Sequence, residues 1–485
     1  MRHALVTQLG GWVMARLVIV SNRVPDPSER TGPRAGGLVV GLAEALVPGT
    51  LWFGWSGRRA ETTSTTAKMT ETPDLTYATI DLGEADYRAF YLGFANSTLW
   101  PLFHMMPSLA VFDRADYAIY RRVNDAFAEA LLTLLRPDDL IWVHDYQLIG
   151  VAASLRARGV ANRIGFFLHI PFPAPAVLDI LPPARELLAS LLAYDVIGLQ
   201  TNRDRTLFAD AVHAAFGYQM TPDHRITHQG HSAQIIVAPV GIDAQAFNAM
   251  AVRASQRVET RRMIDSLAGR ALMIGVDRLD YTKGLPARFE AYERFLSRYA
   301  EHRRKLSFLQ IAAPSREEVE RYRALREELD HKTGSINGAF SDFDWVPLRY
   351  MTRTLGRTLI AGFYRTARIG LVTPLRDGMN LVAKEYIAAQ NPLDPGVLIL
   401  SIFAGAAEGL PEALLVNPFD IDAVAEAVHA ALVMPVDERI ERHAALLGHV
   451  TAESAQVYCQ RFVAALTRVT HPPLVPRATS GKNAA

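Results

Sequence analysis

Residues 271–290 read ALMIGVDRLDYTKGLPARFE, and this stretch decides the fold. Leu272–Val276 is apolar on both faces, as a strand buried on both sides of a sheet must be. It breaks into Asp277-Arg278-Leu279-Asp280-Tyr281-Thr282-Lys283-Gly284, after which a helical pattern, Pro286–Tyr299, takes over. Strand, turn and helix in that order form the repeating unit of a parallel sheet covered by helices. The unit recurs along nearly the whole chain. Strands are expected at Leu17–Val20, Leu140–His144, Ile164–His169 and Val196–Gln200, then at Leu306–Ala312, Ile369–Val372 and Val397–Leu400. Helical patterns fall between them at Asp116–Leu135, Arg203–Phe216, Glu317–Lys332 and Met379–Gln390. Two such series predict an α/β protein of two doubly wound domains. Ligands are then expected in the cleft between them, outside the carboxyl ends of the strands.

The 485 residues carry 51 Lys and Arg against 50 Asp and Glu, so no global field recruits nucleic acid or an acidic membrane. Any bound anion must be held by local clusters. The single cysteine, Cys459, excludes an intrachain disulfide and a Cys-x-x-Cys site, and fits a cytoplasmic protein. No apolar run approaches the roughly 18–20 residues of a membrane span. The longest candidate, Gly396–Val416, is broken by Glu408, Pro411 and Glu412. The expected division is a disordered extension at 1–14, a first domain at 15–240 and a second at 241–450. A helix at 451–470 packs back on the first domain, and a disordered Pro-containing tail follows at 471–485. The boundary rests on Ala238-Pro-Val-Gly-Ile-Asp243, and a polar stretch from Ala251 to Gly269 leads to the next strand.

The chemically unusual residues fall just after strands. Ser21-Asn22-Arg23 ends the first strand, and Ala35-Gly36-Gly37 opens a helical segment, as a phosphate cradle or as a plain turn. Asp145 and His169 follow successive strands, with Pro171 and Pro173 stiffening the loop after the histidine; the alternative is helix capping. Arg278 and Lys283 put two cations on one turn that opens a helix, a setting for a diphosphate. Arg316 follows another strand end. Asp377 and Glu385 are eight residues apart, just over two helical turns, and suit sugar or ribose hydroxyls; capping by Asp377 and a surface Glu385 are the alternative. Trp55, in Trp52-Phe-Gly-Trp55-Ser-Gly57, reads as a strand-to-glycine turn that walls a sugar ring.

Two patterns point elsewhere and are weighed down by their context. Asp342-Phe-Asp344 resembles a phosphatase start but lacks the buried strand before it. His224, His228 and His231 have metal-compatible spacings in what reads as a polar surface loop. The Gly-x-Gly-x-x-Gly fingerprint of a dehydrogenase is absent from the first strand-helix turn.

Taken in order, Ser21-Asn-Arg23, Ala35-Gly-Gly37, Phe53-Gly-Trp-Ser-Gly57, Leu99-Trp-Pro101, His144-Asp-Tyr146, His169-Ile-Pro-Phe-Pro173, Arg278–Gly284 and Arg376–Glu385 resemble the trehalose-6-phosphate synthases. That resemblance runs from about Arg16 to Leu466. It implies a retaining glycosyltransferase of two Rossmann-like domains, the glycosyltransferase-B fold, acting on UDP-glucose and glucose 6-phosphate. It implies donor binding by Gly36, Gly37, His169, Arg278, Lys283, Asp377, Leu381, Val382, Ala383, Lys384 and Glu385. Acceptor binding falls to Arg23, Trp55, Tyr91, Trp100, Asp145 and Arg316, with Arg23 and Arg316 on the phosphate. The catalytic set it implies is Asp145, His169, Arg278, Lys283 and Asp377. No metal or other cofactor is expected, because cations and a helix N-terminus neutralise the leaving diphosphate. The resemblance further implies a homo-oligomer, dimer or tetramer, and a separate phosphatase that receives the product. Two other readings stand beside it: a glucosyltransferase with another phosphorylated acceptor such as glycerol 3-phosphate, and a non-catalytic subunit of a trehalose-synthesis complex. The intact hexose-walling aromatics and the intact cations weigh against them.

Overall fold

The computed structural model describes residues 15–25, 42, 46, 48–73, 75–316 and 318–470. The expected extension (1–14), the expected tail (471–485) and the Gly36-Gly37 pair lie outside the described residues. Two sheets organise the chain. The first contains β1 (Leu17–Arg23), β2 (Thr50–Ala60), β3 (Lys68–Glu71), β4 (Leu75–Gly83), β5 (Leu140–His144), β6 (Arg163–Phe167), β7 (Val196–Leu199), β8 (Arg225–His228) and β9 (His231–Val237). Their order is β3-β4-β2-β1-β5-β6-β7-β9-β8. Only the outermost pairs, β3 with β4 and β8 with β9, run antiparallel. The second sheet is wholly parallel and contains β10 (Ala271–Arg278), β11 (Leu306–Ala313), β12 (Leu348–Met351), β13 (Ile369–Val372), β14 (Val397–Ser401) and β15 (Leu414–Val416). Its order is β12-β11-β10-β13-β14-β15.

Both orders reverse direction once, between β1 and β5 in the first sheet and between β10 and β13 in the second. Such switch points open a crevice because the loops on either side leave toward opposite faces. The central strands are buried on both faces, Leu140–His144 at every position, as their unbroken apolar composition requires.

Several expectations need correction. The histidine segment is not a loop but the β8–β9 hairpin at the sheet edge. The polar stretch after the boundary is two helices, Ala244–Ser255 and Val258–Leu267, whose exposed faces account for its polarity. Trp55 lies within β2, not at its end. The turn-like signal comes from Gly57, whose φ of +89° sits in a register irregularity between Trp55 and Arg59. Tyr87–Leu99 forms a π-helix, which no periodicity announced.

The helix Ala455–Thr467 packs on β6 and β7 of the first sheet. Phe462 is fully buried and stacks on Trp142, with ring centroids 4.3 Å apart and planes within 9°. It fits because β6 and β7 carry glycines beneath it: a Cβ on Gly165 would lie 2.6 Å from the Phe462 ring. Among the described residues, no helix is long and apolar enough to cross a membrane.

Phe462→Ala is expected to cost about 3–5 kcal/mol in urea unfolding followed by tryptophan fluorescence. Gly165→Ala alone overpacks the same seam and destabilises as well. Together they should cost less than their sum, because the new methyl occupies the space the ring has left. Strictly additive costs would show that ring and glycine are not complementary.

Candidate active site

Strand β11 and the loops after β10 and β13 are tied to one another by Arg288, a fully buried cation. Its Nε donates to Thr373 Oγ1 (3.0 Å), Nη1 to Gln310 Oε1 (2.9 Å) and to Asp277, and Nη2 to the Lys283 carbonyl (3.3 Å). The amide of Leu375 adds a bond to the Thr282 carbonyl (2.8 Å). A buried guanidinium with all of its forks engaged is a rigid corner. On this corner stand Arg278, Lys283 and Asp377.

Asp280, which sequence reading did not single out, sits beneath these cations with no exposed surface. Oδ1 accepts from the Thr282 amide (3.0 Å) and hydroxyl (2.9 Å). Oδ2 makes no hydrogen bond among the described residues and instead faces Arg316 Nη1 at 3.5 Å and Arg278 Nη2 at 3.7 Å. Burial raises the cost of its charge, but Arg278, Arg316 and Lys283 outweigh that and hold its carboxyl down at about 2. The one local hint was the spacing Arg278-x-Asp280 behind a buried strand.

Trp100 faces the same cations from the other domain. The Arg316 guanidinium lies 4.0 Å from its ring centroid and that of Arg278 lies 5.4 Å away. The indole Nε1–H is buried and has no partner among the described residues. Arg316 also donates to the Tyr322 hydroxyl (2.8 Å) and, across the cleft, to that of Tyr146 (3.3 Å). Its φ of +50° is the left-handed conformation that turns the chain from β11 toward the cleft.

Lys283 Nζ is hydrogen bonded to Asp377 Oδ2 (2.5 Å), and Asn380 Nδ2 donates to the same oxygen (3.0 Å). Burial opposes the charge on Asp377, but Lys283 and Asn380 win and hold its carboxyl below the ordinary range. Asp377 does not cap the helix Leu381–Ala389; Asn380 does, its Oδ1 accepting from the Ala383 amide (3.1 Å). This alters two expected donor contacts. The Ala383 amide is already taken, leaving Leu381 and Val382 as the first two amides of the helix, without intrahelical acceptors. The buried Lys384 ammonium points away, to the Val240 carbonyl (2.7 Å). Burial pulls it down to about 8. Glu385, on the same helix, pairs with Arg357 (3.0 Å).

On the facing wall, Asp145 follows β5 with φ +76°, and its Oδ1 accepts from the His169 amide (3.1 Å). Desolvation pushes its carboxyl up to about 6 in spite of the backbone bonds and the guanidinium groups of Arg316 and Arg278. Burial lowers His169 to about 3, so the ring is neutral, and its Nε2 lies 3.0 Å from His144 Nδ1. Gly378 brings the domains together here: a Cβ on it would meet the His169 carbonyl oxygen at 2.1 Å. That approach sets His169 beside Asp377. Arg23, exposed at the end of β1, pairs in register with Trp55 and lies over Gly57. Trp55 is almost fully buried and gives its indole N–H to the Arg58 carbonyl (2.7 Å); Tyr91 stands 6.3 Å from it.

The competing patterns resolve as structure. Asp342 and Asp344 pair with Arg304 and Arg270 at the surface. His231 bonds the Tyr194 carbonyl (3.1 Å), while His228 packs on Phe216 and Tyr218. Among the described residues, the His/Cys/Asp/Glu group whose ligand atoms converge is a different one, Glu301, His302 and His429. It lies just before β11 begins, at the end of the sheet opposite the cleft.

The chain is similar to known proteins along nearly its whole length. The chain is 45% identical over 457 residues to a trehalose-6-phosphate synthase of Sinorhizobium fredii, covering 94% of this chain and 98% of that one. It is 43% identical over 475 residues to one of Salmonella paratyphi B, covering 97% and 99%. Among solved structures, it is similar to a UDP-forming alpha,alpha-trehalose-phosphate synthase from Burkholderia xenovorans in complex with glucose-6-phosphate (TM-score 0.90, 44% identity, 93% of this chain and 100% of that one). It is also similar to an E. coli structure bound with UDP-2-fluoro glucose (TM-score 0.89, 41% identity, covering 94% and 100%). Residues 15–468 match the model of glycosyltransferase family 20. With its two facing α/β sheets in the glycosyltransferase-B arrangement, the chain belongs to glycosyltransferase family 20.

Proposed function

We propose that the protein moves glucose from UDP-glucose to the anomeric hydroxyl of glucose 6-phosphate, with retention, releasing UDP and trehalose 6-phosphate. The observation that carries this is the gathering of Arg278, Lys283 and Arg316 around Asp280 and Trp100, where the two switch points face each other. The similarity to chains solved with glucose 6-phosphate and with a UDP-glucose analogue supports it.

In this reading the diphosphate lies against Arg278, Lys283 and the amides of Leu381 and Val382. An ammonium has three hydrogens, so Lys283 can hold Asp377 and still donate to a phosphate oxygen. Asp377 and His169 take the donor glucose and Glu385 the ribose. Gly36 and Gly37 join the donor site on the strength of the family motif alone. The acceptor sugar rests among Trp55, Tyr91, Trp100 and Asp145, and its phosphate between Arg23 and Arg316. The Trp100 N–H, without a partner among the described residues, is a donor available to an acceptor oxygen. As the glycosidic bond breaks, charge builds on the diphosphate, and preorganised cations that gain most at that moment accelerate the step. The acceptor hydroxyl attacks from the side that UDP leaves, which preserves configuration without a covalent enzyme intermediate. The product keeps its phosphate, so a separate phosphatase acts after it. A cytoplasmic setting and a homo-oligomeric enzyme, dimer or tetramer, complete the reading.

Lys283→Ala is expected to lower kcat by about 30- to 1000-fold, equivalent to about 2–4 kcal/mol of transition-state stabilisation. Donor affinity falls with it. An unchanged kcat would remove Lys283 from the leaving-group site.

Asp145 offers a pH-dependent test. An ordinary aspartate ionises near 3.8, and this one near 6. Between those values the folded state binds the proton more tightly than the unfolded state, so stability falls as pH rises. Above pH 6 the whole cost is present, about 2–3 kcal/mol. Asp145→Asn should therefore raise Tm at pH 7.5, with the gain shrinking toward pH 4, while kcat/KM drops about tenfold to a hundredfold. A lower Tm at pH 7.5 would contradict the desolvation.

Glucose lacks the phosphate that would bridge Arg23 and Arg316. Two charge-assisted contacts at roughly 1.5–3 kcal/mol each predict at least a hundredfold preference for glucose 6-phosphate. Arg316→Ala should erase much of it while UDP-glucose binding stays near normal. Measuring kcat/KM for both acceptors in both proteins checks this, and a mutant that keeps the full preference holds the phosphate elsewhere.

A further inference from the structure

Arg316 reaches across the cleft onto a hydrogen-bond chain buried in the first domain. Its Nη2 donates to the Tyr146 hydroxyl at 3.3 Å, that hydroxyl donates to Asn96 Oδ1 at 2.7 Å, and Asn96 Nδ2 donates to the Tyr91 carbonyl at 2.7 Å. Asn96 is 4% exposed and lies on the π-helix that also carries Tyr91. Its side chain reaches five residues back, and Ser97 repeats the pattern with the Leu92 carbonyl (2.7 Å). The wide turn of a π-helix brings that carbonyl within range, and such helices recur at functional sites.

The polarity of this chain is forced at each link. A backbone carbonyl only accepts, so Asn96 must turn its NH2 toward Tyr91 and its oxygen toward Tyr146. The one Tyr146 hydrogen then goes to Asn96, and only oxygen lone pairs are left to face Arg316. Arg316 can only donate, so it is satisfied without rotation. If the amide were reversed, Tyr146 would aim its hydrogen at a guanidinium.

We propose that Asn96 is a positioning residue for the acceptor-phosphate clamp. Its amide sets Tyr146 as an acceptor, and this fixes the direction of Arg316. The helix Arg114–Leu132 braces the arrangement from behind, with the Tyr120 hydroxyl donating to the Tyr146 carbonyl (2.8 Å). This inference rests on the reading that Arg316 binds the acceptor phosphate. It adds a residue that touches no substrate and acts through a hydroxyl.

The test is a double-mutant cycle of Asn96→Ala with Tyr146→Phe, read as KM for glucose 6-phosphate, kcat, and UDP-glucose binding. Asn96→Ala alone is expected to raise that KM about fivefold to tenfold, with little change in kcat or donor binding. In the Tyr146→Phe background it should add less than about twofold, because the hydroxyl through which Asn96 acts is gone. An equal rise in both backgrounds, or no rise in either, overturns the proposal. Asn96→Leu goes through the same cycle, so that a folding failure of the alanine variant does not stop the test. It keeps much of the shape and removes the amide. Arg316→Ala separates the two levels: if it leaves the KM for glucose 6-phosphate unchanged, the clamp reading itself fails. If it raises that KM while the Asn96 variants do not, only the relay fails.

Discussion

The site depends on one buried negative charge. Without Asp280, the positive ends of Arg278, Arg316 and Lys283 would repel one another across a cleft of low dielectric, where like charges are costly. Asp280 holds two of them at 3.5 and 3.7 Å through an oxygen that makes no hydrogen bond among the described residues. It neutralises only part of their charge. The remainder faces the cleft as a positive surplus, partly offset at Lys283 by Asp377. A second buried ion pair, Arg288 with Asp277, does a different job: it fixes the loops on which the charges stand.

The two domains meet through contacts that are short and specific. Gly378 approaches the His169 carbonyl so closely that only glycine fits there. At one edge of the cleft, the Glu408 carboxylate accepts from the amides of Asn202 (3.0 Å) and Arg203 (3.1 Å), capping a helix of the other domain. A carboxylate at a helix N-terminus is favoured by charge as well as by hydrogen bonding. Elsewhere, Arg59 pairs with Glu318 at 2.7 Å, two residues beyond Arg316. Substrates that touch both walls therefore meet groups whose separation is already set by direct protein contacts.

Much of the cleft could be read from residues at strand ends. Arg278, Lys283, Arg316, Asp145, His169 and Asp377 each follow a strand whose apolar composition marks it as buried, and the cleft lies where those ends point. Position was legible; partnership was not. Lys384 sits one residue from Glu385 in the sequence, yet its ammonium serves the interdomain connector at Val240. Ala383 seemed free to bind a diphosphate until Asn380, rather than Asp377, proved to be the cap. Tyr91 and Trp100 belong to the same wall only because a π-helix replaces ordinary helical spacing between them.

The sequence by itself determined two doubly wound sheets, the place of eight of the fifteen described strands to within a few residues, and which residues border a cleft. The physical reason is that burial on both faces demands unbroken apolar runs, and short turns confine unusual side chains to strand ends. Only the tertiary structure decided how those side chains share charge and hydrogen bonds. Asp280 and Arg316 are 36 positions apart, and Arg316 and Tyr146 are 170, the latter joined across two domains. Such pairs are fixed by strand order, by glycines that let backbones approach, and by donor–acceptor polarity passed from one side chain to the next. None of these leaves a periodic trace along the chain.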